Sequence, residues 1–219
     1  MIKNGICIIL LLLATFGNAQ VALKYKLDQD YFLLGTLLDY MGRYKDPLEI
    51  DVIDTYFVNE KFLLIHNYNT FKSEYSDLKL DTINRTLKSI ALTEKINTFF
   101  NWNYDENFTN ENSDSLFIGT INLNTFKTNE QKISFIVGVY TRYGQKNDST
   151  YCINIANSNT LFDSSLKILR ALNCKNIKSE IIEAIPTSCI IYFQPSEELK
   201  KYLVYYRFLR ETIWDTKKL

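Results

Sequence analysis

Glycine, proline and histidine are scarce in this chain: seven, three and one among 219 residues. Phosphate cradles, oxyanion holes and strained nucleophile elbows are commonly built on glycine-rich turns. The shortage therefore argues strongly against a P-loop or dinucleotide fold and mildly against an enzyme in general. With His66 as the single histidine, Ser–His, Cys–His and multi-histidine zinc chemistry would all have to run through that one residue. It lies in Leu63–Asn69 (LLIHNYN), beside an apolar run and without a nucleophile context, and reads as a structural histidine at the edge of the core. No H-E-x-x-H, G-x-S-x-G or C-x-x-C occurs, so no metal or cofactor is expected.

An excess of charge of either sign is also lacking, with 25 basic against 25 acidic side chains. A neutral chain has no global field to attract nucleic acid or an anionic membrane, and such binding would need a local patch.

Residues 1–20, MIKNGICIILLLLATFGNAQ, carry the clearest signal. Lys3 supplies a positive start, Ile6 to Phe16 form an apolar run broken by Thr15, and Gly17 and Ala19 are small residues that a signal peptidase accepts. The run falls short of the roughly 20 apolar residues that span a bilayer. Cys7 lies inside it, which counts against lipoprotein processing. The expectation is a signal peptide over 1–19, cleavage before Gln20, and an exported protein of the bacterial envelope, periplasmic or extracellular, without integral membrane insertion after cleavage. Cys152, Cys174 and Cys189 would survive cleavage, leaving one disulfide in three alternative pairings, or buried free thiols.

Tyrosine (15) and phenylalanine (14) are abundant, as are Ile, Asn and Lys. All five have AT-rich codons, so genome bias accounts for the surplus; a carbohydrate-binding or adhesive surface is the alternative.

Along the chain, Asp28 and Asp30 are caps for a helix over 31–44, with Leu34, Leu37, Leu38 and Met41 on one face. Apolar positions from Leu48 to Tyr75 have mostly helical spacing, with a hairpin over 56–68 as the alternative. Ile83, Leu87 and Ile90 make a further helical stripe, which Leu92, Ile96, Phe99 and Phe100 continue. Residues 20–104 thus read as a helical region. Asn101 to Asp114 is polar and acidic, and 105–115 is expected to be a polar loop. Its alternating Asn101, Asn103 and Asp105 suit a calcium loop, but Glu106 and Asn112 occupy the places where an EF-hand needs Gly and Glu.

Residues 116–219 read as an α+β region packed with the helical one in a single unit. A strand is expected over 116–126. Thr128 with Gln131 forms a capping box for a helix striped by Ile133, Ile136, Val137 and Tyr140. A strand over 151–155, a helix over 161–172 and a hairpin turning at Pro186 follow, and Pro195–Ser196 open a last helix. The fold class is α+β: a helix-rich N-terminal half, then α-β-α-β-β-α with a small mixed or antiparallel sheet.

For binding, Tyr140, Arg142 and Tyr143 stand out, since a helix end carrying two rings and a guanidinium can hold carboxylates, sugars or protein partners. The plainer alternative makes Tyr140 core, Arg142 a cap on helix carbonyls and Gly144 the C′ turn. In the last helix Lys200, Lys201, Arg207 and Arg210 interleave with Tyr202, Tyr205, Tyr206 and Phe208. An exported address argues against nucleic acid there and leaves a membrane surface or partner protein. The function expected is a non-enzymatic binding or interaction protein acting on an envelope protein or small ligand. The alternatives are a hydrolase using converging carboxylates from among Asp39, Glu49, Asp51 and Asp54 in a cleft between the halves, or a carrier of a small apolar ligand.

Overall fold

The computed structural model describes residues 23–109, 112, 115–147 and 150–215, so the expected leader and its cleavage point lie outside the described residues. The fold is α+β, with three antiparallel sheets and seven α-helices among the described residues.

The first helix, α1 (Gln29–Thr36), is capped by Asp28, whose carboxylate accepts from the Tyr31 amide. It stops at Leu37, well short of the expected Tyr44, because distant residues take over its C-terminal backbone groups. The Thr36 carbonyl accepts from Arg142, the Leu37 carbonyl from Tyr143, and the Leu38 amide donates to Asp54. Met41 and Gly42 then turn through positive φ (62° and 92°) into β1 (Arg43–Lys45). The expectation of a helical region over 20–104 is corrected further by β2 (Val52–Thr55), which precedes helix α2 (Lys61–Phe71), and by the hairpin β3 (Lys79–Asp81) and β4 (Thr86–Lys88). Ile83 and Leu87 share no helical stripe. The Asp81 carboxylate accepts from the Ile83 and Asn84 amides, which folds the segment into a turn and throws Ile83 into solvent.

Helix α3 (Ile90–Asn97) starts on the Ser89 cap and leads into β5 (Phe100–Thr109), which pairs with β6 (Ser115–Ile121). The expected loop at 105–115 is thus a strand as far as Thr109. Asn101 and Asn103 alternate with Phe100, Trp102 and Tyr104, and a polar outer face has the composition of a loop. The central helix α4 (Asn129–Tyr143) carries the expected capping box between Thr128 and Gln131. After it come β7 (Gly144–Asn147), β8 (Thr150–Ala156), α5 (Leu161–Ala171), the hairpin β9 (Lys175–Ile182) and β10 (Ser188–Gln194), then α6 (Glu197–Tyr205) and α7 (Arg207–Asp215). Strand β7 was not foreseen, and the last helix is split at Tyr206.

The sheets are ordered β1-β6-β5, β2-β4-β3 and β7-β8-β10-β9. One continuous core joins their inner faces to the helices. Helices α1 and α4 cross with their backbones in contact. A Cβ on Gly35 would lie 2.2 Å from the Phe135 carbonyl oxygen, and one on Gly138 would lie 2.2 Å from that of Phe32. Cys152, Cys174 and Cys189 are all free thiols. Among the described residues no helix is long and apolar enough to cross a membrane.

Candidate functional site

Arg142 and Tyr143 come together inside the molecule, the guanidinium 5.6 Å over the Tyr143 ring, while Tyr140 packs apart from them against Tyr151 and Phe193. The last turn of α4 points at the junction of α1, β2 and the short 3-10 turn at 58–60, and Arg142 is 1% exposed there. Its Nε donates to Glu60 Oε1 at 3.1 Å and Nη2 to Glu60 Oε2 at 2.7 Å, while Nη1 donates to Asp54 Oδ2 at 2.7 Å. The Thr36 and Thr55 carbonyls accept the remaining donors. Burial opposes the charge, but Asp54, Tyr143 and Glu60 outweigh it and hold the guanidinium protonated. Arg142 does cap a helix carbonyl, but that of Thr36 in α1 and not one of its own helix. Tyr143 donates to the Leu37 carbonyl, and Tyr140 is core, donating to the Gln145 carbonyl. Gly144 is extended (φ −78°, ψ 149°) and opens β7, so it is not a left-handed C′ turn.

This network brings together carboxylates from separate elements, Asp54 of β2 and Glu60 of the 3-10 turn. Asp54 and Glu60 share a single cation; burial pushes the Asp54 pKa up, and the Arg142 charge pulls it partly back. Glu60 was not foreseen as its partner; the Phe57 amide donates to its Oε2 (2.9 Å), but with Phe57 where a capping box needs Ser or Thr the sequence carries no signal of it. The other candidate carboxylates lie apart. Asp39 is buried at the start of α5, where Oδ2 accepts from the Thr160 and Leu161 amides and from Ser158, and burial pushes its pKa up. Asp51 faces Lys88 at 3.9 Å. His66 stacks edge-on against Phe32 at 5.5 Å, and burial lowers its pKa.

Glu49 belongs to a trough of about 740 Å³. Its floor is one face of the β1-β6-β5 sheet. Period-two alternation places Phe100 and Trp102 on that face of β5, and register adds Ile121 and Gly119 opposite them on β6, then Phe117 and, on β1, Lys45 and Arg43. Helix α3 forms a wall with Ile90, Thr93, Glu94 and Asn97, and the 46–50 loop forms the end. The rings of Phe100 and Trp102 lie 5.6 Å apart, and Lys45 Nζ stands 4.3 Å above the indole. Gly119 makes room for them, since a Cβ there would meet Phe100 at 2.9 Å and Trp102 at 3.0 Å. Asn97 anchors both sides: its carbonyl accepts from Trp102 Nε1 (3.1 Å) and its side chain from Arg43 Nε (3.0 Å). Burial lowers the Arg43 pKa to about 10, and the guanidinium lies 5.6 Å over Phe100. The trough gathers flat rings, both signs of charge and a hydroxyl, a surface that can stack on a ligand and hydrogen-bond its rim.

Compared with known proteins, the chain matches no family model, and no curated protein resembles it in sequence.

Proposed function

We propose that this chain is an exported, non-enzymatic binding protein whose ligand seat is the trough between α3 and the β1-β6-β5 sheet. The observation that carries the proposal is the trough itself: about 740 Å³, lined by Phe100, Trp102 and the half-exposed Phe117, within the size range of ligand sites. The buried charges support a binding role over catalysis, because Arg142, Asp54 and Glu60 are committed to one another. Export is supported by the composition of residues 1–20.

Two measurements test the proposal. The N-terminus of the protein recovered from its native envelope should begin at Gln20; retention of Met1 would overturn export. Hydrogen exchange of the purified chain should slow at residues 43–50 and 90–104 when polysaccharide, peptide or small-molecule fractions of the envelope are added. Protection in none of the fractions would overturn the ligand seat.

A further inference from the structure

We infer, resting on the trough as ligand seat, that its ligand is a pyranose oligosaccharide. Three independent features point to that chemistry. The first is ring geometry. Trp102 and Phe117, underlain by the buried Phe100, present ring surface on the floor of the trough, and apolar C–H faces of sugar rings stack on such surfaces. Gly119 gives up a side chain so that the indole can lie against the sheet.

The second is charge. Asp46, Glu49 and Glu94 face the trough together with Arg43 and Lys45. Three acids against two bases make a poor cradle for a polyanion, which excludes nucleic acid. The same mixture of carboxylate, guanidinium and amide suits vicinal hydroxyls, each of which both donates and accepts.

The third is Thr93. It lines the trough from α3, is 5% exposed, and its Oγ1 has no hydrogen-bond partner. A threonine within a helix commonly returns its hydroxyl to a carbonyl one turn back, and this one does not. An unmet buried hydroxyl is a cost to the folded state. The hydroxyl oxygen is shut off from solvent in the free protein, so it meets a sugar hydroxyl in the trough, and loses that cost, only after rotation about χ1. Lys45 occupies the indole face in the free protein and swings aside on its flexible stem when a sugar ring stacks there.

The test is an array of neutral and N-acetylated oligosaccharides probed with the purified chain, followed by calorimetric titration of any hit. Thr93→Val, Trp102→Ala and Phe117→Ala are titrated beside the parent. Expected is a hit weakened about tenfold by Thr93→Val and by at least as much in Trp102→Ala and Phe117→Ala, with the thermal stability of Thr93→Val equal to or above the parent's. Thr93→Val is near-isosteric and Phe117 lies on the surface, so the test does not hang on Trp102→Ala folding. A sugar that binds equally well to all three variants lies elsewhere and overturns the inference. If no sugar binds but a peptide selected from a random library binds in a Trp102- and Phe117-dependent way, the sugar inference falls and the ligand seat stands. If neither class binds, both fall.

Discussion

Arg142 grips Glu60 with two nitrogens while its third reaches Asp54, so one cation from α4 is shared by two acids from the other half of the chain. Removing it leaves both acids buried without a countercharge. Arg142→Met should cost about 3–5 kcal/mol of unfolding free energy, read as a fall in the urea midpoint. Arg142→Lys should recover little, since an ammonium cannot reproduce the fork. Combining Arg142→Met with Asp54→Asn and Glu60→Gln should restore much of the loss.

The α1–α4 crossing makes a second prediction. Gly138→Ala drives a methyl group into the Phe32 carbonyl, and helix backbones cannot step aside as a side-chain tip can. The cost should be about 3 kcal/mol, at the upper end for overpacking, with a parallel loss for Gly35→Ala. Thermal unfolding checks both. A change of less than a few tenths of a kcal/mol would show that the helices do not touch.

His66 gives a pH dependence. Its folded pKa is below the ordinary 6.5 because the ring is partly buried. Below pH 6.5 the unfolded chain therefore binds a proton that the folded chain resists. This group lowers stability as pH falls from 6.5 toward the depressed folded value, and has no effect above 6.5. In His66→Gln that segment of the pH profile should flatten. Urea midpoints at neutral and mildly acidic pH, compared between parent and variant, measure the difference.

Gly119→Ala tests the sheet face of the trough. The added methyl meets Phe100 and Trp102 within 3.0 Å, so the rings must tilt away from the sheet. The expected cost is about 1–2 kcal/mol in stability, accompanied by a shift in tryptophan emission as the indole is displaced. An unchanged spectrum would mean that Trp102 does not lie on Gly119.

What could be read along the chain was whatever is decided locally. The Thr128–Gln131 box, the Ser196 cap and the hairpin flanking Pro186 each depend on neighbours within a few residues, and each stands where expected. The end of α1 was illegible because Asp54 and Arg142 set it, 16 and 106 positions away from the groups they hold. Arg142 was read as a ligand-binding group or a cap on its own helix, and the structure buries it against Glu60, which nothing near it in the chain announces. Strand β5 was mistaken for a loop because its outward positions are asparagines. The alternation of Phe100, Trp102 and Tyr104 was there to be counted, and it is the pattern that builds the trough. The unpartnered hydroxyl of Thr93 has no sequence signature at all.

The ion cluster also orders events in time. Asp54 and Glu60 leave the ribosome 88 and 82 residues ahead of Arg142. Until that arginine arrives, any compact form of the first half must either leave its two acids in water or protonate them, and the Thr36 carbonyl of α1 lacks its cap. The N-terminal half is therefore expected to gain its native packing only once α4 is present. Synthesis of α4 is the step that makes the native state accessible, and a chain interrupted before it should remain open, protease-sensitive and dependent on whatever holds it in the meantime.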